Sequence, residues 1–579
     1  MTVAIPIEIS LRQRYWLLAI LLVSAAVKLI YVFGFTAYPS YLFADSEHYF
    51  SRAQAFFNGE RPYQRDWEVF PMGYTVLTAA YWRLLALFGL TGYQLESALV
   101  LNVINSTATL ALTFHLAAMV WRNVALALWI TGFCGFFFPL VFLNTFIISE
   151  HFAQLFFIAS LWALVRAQEA ARPLLWMALA GVFWALTCQV RASFGLAAAV
   201  ATLMLLCAAP QGVGRFRAVA AYVLPATAVF ALAGLALWTA SNGASYKPTG
   251  SNGGFNFFMV QCHYFGARSI YETANWFFYP AIFSKQPELG TYVTKVPFSD
   301  QGFYFSAAFT CIRELPDAWQ RIVALPPTML YSRFFPEPGI DQMTGFWTAW
   351  YRHINVLLIL LAPAGCVALR RQGSGFGAVL LAATGVVLWI AFAEFNADHR
   401  HVYSLIQIAA ILGIGGAWAL VKSTTTQKVR YVLVASVVTA LSWGLLRSGG
   451  PLNLYDHRPQ TVSAKVLTKP IKDGTFWSEL ETFRFWRPLT IDLGRTEHAA
   501  KLRLALDSND VYRLSFYRQG EKLGEIELGI TKLKTYVGMV QREVQLPSAL
   551  AAKGYDRLRL EAISGDGQAS VGNLRFDAK

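Results

Sequence analysis

Charge is scarce in this chain. Only 14% of its 579 residues are Asp, Glu, Lys or Arg, while 56% are hydrophobic and 15% aromatic. A soluble domain usually carries about 25% charged residues, so a wholly water-soluble globular protein is excluded. Paired cysteines are lacking as well. The six cysteines are scattered, with no Cys-x-x-Cys pair and no metal-ligand spacing, which excludes a zinc module or a thioredoxin-type redox motif. The six read either as buried thiols or, for Cys262 and Cys311, which share one long loop, as an oxidised pair. Long apolar runs are absent after about residue 446, where charges become dense. The chain therefore divides into a membrane domain over 1–449, a polar, proline-bearing linker over 450–473, and a water-soluble domain over 474–579.

The net charge of +14 raises the question of nucleic acid. Its placement answers no: basic residues sit in short clusters between apolar runs, the pattern of the positive-inside rule. Arg12 and Arg14 precede a first apolar run, Tyr15 to about Thr36. That run is longer than the roughly 7–15 residue core of a cleavable signal peptide and reads as a retained helix.

Candidate spans cover about 15–36, 95–119, 124–142, 151–167, 174–190, 193–209, 218–239, 354–369, 376–393, 402–420 and 430–446. The stretch 70–88 is a twelfth by apolarity, and charge parity decides its fate. If it does not cross, Arg12/Arg14, Arg122, Arg166/Arg172, Arg215/Arg217, Arg370/Arg371 and Lys422/Lys428/Arg430 all face the cytoplasm. If it crosses, every later cluster moves outside, against the rule. Residues 70–88 are therefore expected to lie in the outer interface, which suits Tyr74, Tyr81, Trp82 and Arg83. About eleven crossings of an inner (plasma) membrane result, with the N-terminus cytoplasmic. Three regions are exported: 37–94, 240–353 and everything after about 447.

The exported segments carry the chemistry. Apolar residues at 49, 50, 53, 56 and 57 have helical spacing, with Gly59 as a stop. Asp45 stands at that helix's entrance, either as an N-cap or as a general base. Emerging with Glu47 beside the lipid boundary, it is partly desolvated, which raises a carboxylate's proton affinity. The long loop opens on Ser251-Asn252-Gly253-Gly254-Phe255-Asn256, either a simple turn or a close backbone approach to a ligand. Farther on, 300–315 and 316–335 read as two amphipathic helices, the second started by Pro316. Arg400 and His401 open a late span at the depth where a phosphate with a lipid tail would present its charge, and guanidinium suits phosphate through paired donors. The competing reading is an arginine satisfied by headgroups. Lys28, Glu150 and Arg191 are ionisable groups near membrane depth, which face a partner or a cavity. Glu150 and Arg191 either pair with each other or touch substrate.

These motifs, in this order, resemble the lipid-phosphosugar-dependent transferases of the GT-C fold, among them family 39-like protein O-mannosyltransferases and the aminoarabinose and galacturonic acid transferases that act on lipopolysaccharide. The resemblance covers roughly residues 15–420. It rests on Asp45-Ser46-Glu47 with Tyr49, Phe70-Pro71-Met72-Gly73-Tyr74, Ser149-Glu150, Arg191-Ala192-Ser193, Gly253-Gly254-Phe255-Asn256-Phe257, Leu315-Pro316-Asp317 and Arg400-His401-Val402-Tyr403. It implies an α-helical polytopic membrane domain of GT-C fold and an inverting glycosyltransferase that takes a sugar from a polyprenyl-phosphate donor. The acceptor is an extracytoplasmic cell-envelope glycan, lipid or protein. Asp45 maps onto the general base, with Glu47 assisting it or binding a divalent cation (Mg, Mn or Ca). Arg400 maps onto the carrier phosphate, helped by His401, Lys247 and Arg191. Tyr49, Tyr74, Asn256, His263 and Tyr403 are the expected substrate contacts. Phe70-Pro71-Met72 and Ser404-Leu405 depart from the family pattern, which leaves the sugar open. The alternatives are a lipid-linked oligosaccharide ligase or polymerase, a flippase or transporter, and a noncatalytic sugar-binding scaffold. A transporter predicts internal repeats and broken spans with a midplane site.

The C-terminal part reads as an all-β sandwich. Alternating runs at 489–493, 501–506, 512–517, 524–528, 542–546 and 557–561 are separated by turn residues such as Ser508-Asn509-Asp510. It is similar in architecture to the jelly-roll modules attached to some arabinosyltransferases of this fold, which implies either acceptor binding or a structural cap.

Overall fold

A computed structural model describes residues 8–60, 71–261, 300–314, 341–395, 404–424 and 460–577, apart from breaks inside the first, second and last of these ranges. One compact unit holds the described helices of residues 8–256 and 351–424; the other holds the described parts of 257–314, 341–350 and 460–577.

The first helix, α1 (Leu11–Ile30), starts on a reciprocal cap: Gln13 N donates to Ser10 Oγ at 3.3 Å and Ser10 N to Gln13 Oε1 at 3.0 Å. A π turn, Tyr31–Phe35, extends it. Its burial is inverted relative to a soluble helix. Trp16, Leu18, Leu22 and Ile30 are exposed, while Ser24 and Lys28 are buried. Apolar residues facing out and polar ones facing in are what a lipid solvent selects.

Next come α2 (Ala44–Phe57) and α3 (Gly73–Ala86). The α2 helix ends as its sequence suggests: Gly59 adopts φ +80°, Glu60 N donates to Ala55 O at 2.9 Å and Gly59 N to Phe56 O at 3.3 Å. This paired bond pattern closes a helix through a left-handed residue. At about 1.5 Å per residue, α3 is roughly 21 Å long, short of a hydrocarbon core of roughly 30 Å.

The bundle continues with α4 (Gln94–Trp121), α5 (Val124–Phe136), α6 (Phe138–Phe142), α7 (Glu150–Ala167), α8 (Pro173–Val190), α9 (Gly195–Cys207) and α10 (Arg215–Ala240). After the short α11 (Gly253–Met259) and α12 (Gln301–Glu314) come α13 (Asp341–Arg371), α14 (Gly375–Phe395) and α15 (Ile406–Lys422). Among the described residues, six helices are long and apolar enough to cross a membrane: Leu11–Phe35, α4, α8, most of α10, and the 353–371 and 375–392 parts of α13 and α14. The other expected spans differ for identifiable reasons. Residues 124–145 form two helical pieces bent by 55°, with Pro139 in the first turn of the second piece. The α7 helix carries Glu150, His151, Gln154 and Arg166 and is too polar, yet most of its residues are buried. The α9 and α15 helices are apolar but short, and 430–446 lies outside the described residues.

Ion pairs order the ends of these helices. Arg122, just past α4, meets Glu169, just past α7, at 3.0 Å, so α4 and α7 finish at the same end of the bundle. The Glu150–Arg191 pair joins the start of α7 to the finish of α8.

Nine strands form two sheets among the C-terminal described residues: β1 (Gln460–Ser463), β2 (Phe483–Phe485), β3 (Leu489–Glu497), β4 (Lys501–Asp507), β5 (Val511–Arg518), β6 (Glu521–Leu528), β7 (Met539–Gln545), β8 (Tyr555–Ser564) and β9 (Ala569–Asp577). A short helix, α16 (Ser548–Lys553), links β7 to β8. One sheet runs β1-β3-β8-β5-β6 and the other β2-β9-β4-β7. Leu489, Ile491, Leu502, Leu504, Leu514, Phe516, Leu558, Leu560 and Val571, drawn from both sheets, share one core. The all-β sandwich is therefore as expected, but its start is not. Residues 460–467, read as linker, belong to the sandwich: β1 pairs in parallel with β3, and Val462 and Leu467 lie in the core.

Candidate functional site

The end of α8 is the point on which separate sequence motifs converge. Arg191 leaves the helix in an extended conformation, φ −152° and ψ 102°, and turns back toward α7. Its Nη1 lies 2.8 Å from Glu150 Oε1 and donates to Ser149 Oγ at 3.1 Å. Ser149 Oγ donates to Glu150 Oε2 at 3.4 Å and accepts from the Tyr49 hydroxyl at 3.2 Å. One buried serine hydroxyl thus joins α2, α7 and the end of α8. Glu150 sits in the first turn of α7, where the positive end of the helix dipole also favours a carboxylate. The Glu150 side chain is 1% exposed and that of Arg191 14%. A charge so enclosed is tolerable only because it is paired and hydrogen-bonded.

Two further motifs meet the same helix end. The Tyr49 ring packs 5.1 Å from Tyr74, which packs 5.7 Å from Phe152. Tyr74 can lie there because Gly73 has no side chain: a Cβ on residue 73 would stand 2.6 Å from Gln189 O. Gln189 Nε2 donates to Pro248 O at 2.6 Å, and Thr249 Oγ1 donates to Cys188 O at 3.3 Å. The segment beginning at Lys247, itself half-buried, is held along the same end of α8.

The expected site residues are distributed as follows. Asp45 lies within the first turn of α2, which begins at Ala44, rather than at the cap position; its side chain is outside the described residues. Glu47 is exposed. Tyr49, Tyr74, Arg191 and the Lys247 segment are brought together as above. Arg191, expected among the phosphate ligands, instead directs Nη1 at Glu150 and Ser149. Of its two sequence readings, pairing with Glu150 is the one the structure contains. Asn256 is half-buried in α11; of the glycine-bearing stretch, read either as a turn or as a close approach to a ligand, residues 253–256 belong to this short helix. His263, Arg400, His401 and Tyr403 lie outside the described residues, as do Cys262 and the Cys311 side chain, the helix expected at 316–335, and the Leu315-Pro316-Asp317 motif.

The Asp45 side chain, one of the two expected cation ligands, lies outside the described residues, and Glu47 is exposed. No group of three or more His, Cys, Asp or Glu side chains is clustered to hold a metal among the described residues.

Sequence reasoning missed two residues. Ser149 stands in the sequence only as Glu150's neighbour, and its bridging hydroxyl joins contacts from separate parts of the chain. Gln189 gave a faint signal, a lone amide closing an otherwise apolar span.

No protein-family model matches the sequence, and no curated protein matches it. Solved structures do. The oligosaccharyltransferase AglB of Archaeoglobus fulgidus, in complex with an inhibitory peptide and a dolichol-phosphate, is similar at a TM-score of 0.38 and 13% identity over 75% of this chain and 56% of that one. An Archaeoglobus fulgidus oligosaccharyltransferase in complex with zinc and sulfate gives 0.39 and 12% over 74% and 52%. ArnT from Cupriavidus metallidurans, bound to undecaprenyl phosphate, gives 0.31 and 13% over 70% and 79%. The matches span little more than half the length of the AglB chains. At TM-scores below 0.4 these likenesses carry no weight on fold family, donor, acceptor or catalytic residues.

Proposed function

We propose that this protein is an inverting glycosyltransferase of the membrane that moves a sugar from a polyprenyl-phosphate carrier to an acceptor outside the cytoplasm. The supporting observation is convergence. The first exported segment through Tyr49, the Gly73-Tyr74 motif, Ser149-Glu150, Arg191 and the Lys247 segment, widely separated in sequence, meet around the end of α8.

The chemistry explains why such pieces belong together. Nucleotide sugars are cytoplasmic, so an external site needs a donor that has crossed on a lipid. The acceptor oxygen attacks the anomeric carbon while the bond from that carbon to the carrier phosphate breaks, which inverts the centre. The acceptor's proton passes to a carboxylate within hydrogen-bond reach, the role assigned to Asp45. The carrier leaves as a phosphate, whose growing charge needs fixed cations. That role is assigned to Arg400, helped by His401 and Lys247. The Glu150–Arg191 pair is internally neutral and serves as a rigid support for Tyr49.

Asp45→Asn tests the reading. It is expected to abolish transfer while the protein still inserts normally, and a deletion strain should accumulate the unspent carrier, whose mass identifies the sugar. Full transfer by Asp45→Asn removes Asp45 from the base role, and no accumulating carrier removes the donor class.

A further inference from the structure

The hydrogen bonds at the end of α8 have a direction. Arg191 Nη1 at 2.8 Å and the start of α7 both favour Glu150 as a carboxylate, and a carboxylate only accepts hydrogen bonds. Arginine only donates. Ser149 stands between them with one proton and two lone pairs. Its proton goes to Glu150 Oε2 at 3.4 Å, because an ionised acceptor competes for it better than a phenol does. One lone pair takes Arg191 Nη1 at 3.1 Å, and the other takes the Tyr49 hydroxyl at 3.2 Å. The serine oxygen is then saturated. Both hydroxyl protons point inward, from Tyr49 to Ser149 and from Ser149 to Glu150.

The consequence lies at the outer end. Ser149 is 0% exposed and Glu150 1%, whereas Tyr49 is half-buried, so Tyr49 is the member of this hydroxyl network that a ligand meets. A phenol has one proton, and here it is committed to Ser149. Whatever else meets the Tyr49 oxygen must therefore donate to it. An ionised phosphate carries acceptors only, so it gains no bond there. A sugar hydroxyl or an ammonium group supplies the donor. The reacting hydroxyl is not that group, since its single proton passes to the general base.

We propose that Ser149 is a positioning residue that fixes the Tyr49 hydroxyl as an acceptor, and that Tyr49 thereby selects a non-reacting hydroxyl or ammonium group of the transferred sugar or of the acceptor rather than the carrier phosphate. The selection rests on the transferase reading above; the direction of the hydrogen bonds does not.

The test uses the full chain in nanodiscs at about pH 8, above the second pKa of a phosphate monoester, roughly 6. Direction is read first, without ligand. The Raman doublet of tyrosine distinguishes a phenol that donates from one that accepts, and the difference between wild type and Tyr49→Phe isolates the signal of Tyr49. The donating pattern is expected, and an accepting pattern overturns the direction. Selection is read by binding polyprenyl phosphate without sugar and the sugar-bearing carrier that accumulates in the deletion strain. The KM for acceptor, supplied as membranes of that strain, is measured alongside. Tyr49→Phe should leave affinity for the sugar-free carrier within about twofold of wild type. It should weaken the sugar-bearing carrier or raise the acceptor KM by roughly fivefold, the worth of one hydrogen bond. Which of the two moves tells whether the selected group is on the sugar or on the acceptor. Ser149→Ala should act alike, the double variant should lose no more than either single, and Ser149→Thr, which keeps the hydroxyl, should restore wild-type values. Equal losses for both carriers overturn the selection, as does no loss in any measurement. Additive losses, or a folded Ser149→Thr that stays impaired, overturn the part given to Ser149. If the Ser149 variants do not fold, the Raman pattern and Tyr49→Phe decide. A wild-type protein that binds neither carrier refutes the transferase reading instead, while the Raman pattern still decides the direction.

Discussion

Replacing Arg191 with methionine would strand a buried anion. The variant keeps an unbranched apolar stem and removes the cation 2.8 Å from Glu150 Oε1. Breaking one partner out of a buried pair costs about 3–5 kcal/mol, because the other charge stays desolvated. Two observations move this case to the lower end. Ser149 still donates to Glu150 Oε2, and Arg191 is 14% exposed, so some of its charge was already hydrated; the loss should be about 3 kcal/mol. Glu150→Gln is milder. It leaves no buried anion, the amide oxygen still accepts, and the arginine has its exposed edge, giving about 1–2 kcal/mol. The double variant removes both charges and should sit at least about 2 kcal/mol above the sum of the singles. Titration of the purified protein with SDS in mixed micelles, followed by circular dichroism, measures all three. An Arg191→Met loss under about 1 kcal/mol, the worth of an exposed pair, would refute the enclosed pair. Additive losses would do the same.

Three other outcomes follow from the same structure. Gly73→Val should separate α3 from the end of α8, since a Cβ there stands 2.6 Å from Gln189 O; protease cutting between α2 and α3 is expected to rise several-fold, and an unchanged cutting rate counts against the close approach. Arg400→Ala should raise the donor KM more than it lowers kcat, so an unchanged KM in a transfer assay discredits the phosphate role. In the C-terminal domain, burial, with the carboxylates of Asp510 and Asp507 nearby, pushes the Tyr512 phenol well above its ordinary range. A group whose pKa rises on folding stabilises fully below its unfolded value, about 10, and loses that contribution as pH climbs toward its folded value. Thermal midpoints should therefore fall above about pH 10, and Tyr512→Phe should flatten that decline.

What could be read in advance followed from period and from charge in the wrong solvent. The alternation in β3–β8 is visible because one face of each strand supplies apolar residues to the core and the other carries mainly polar ones, even where, as at Thr490 and Ser515, these are themselves buried. In β9, residues 569–574 are all buried, so alternation vanishes. The β2 strand is only three residues long, too short to show a period. In the membrane part, α7 was marked as a span by its apolar body, but its polar residues meet other helices rather than lipid, so hydropathy overstates its contact with the bilayer. The Glu150–Arg191 pair was legible as one of two choices because ionisable groups at apolar span ends must find partners. The Ser149 bridge was not, because a serine before a helix is ordinary until the fold brings Tyr49 and Arg191 to its hydroxyl.

The parallel strand β1 changes where the C-terminal domain of this chain can be cut. It closes one margin of the five-stranded sheet against residues 489–492 of β3. A fragment begun at residue 474 would bare that row of backbone donors and acceptors and open the core beside Val462 and Leu467, an invitation to pair with other molecules. Beginning at residue 460 or earlier keeps the margin closed, so recombinant expression of this domain should take its boundary from the sheet rather than from composition.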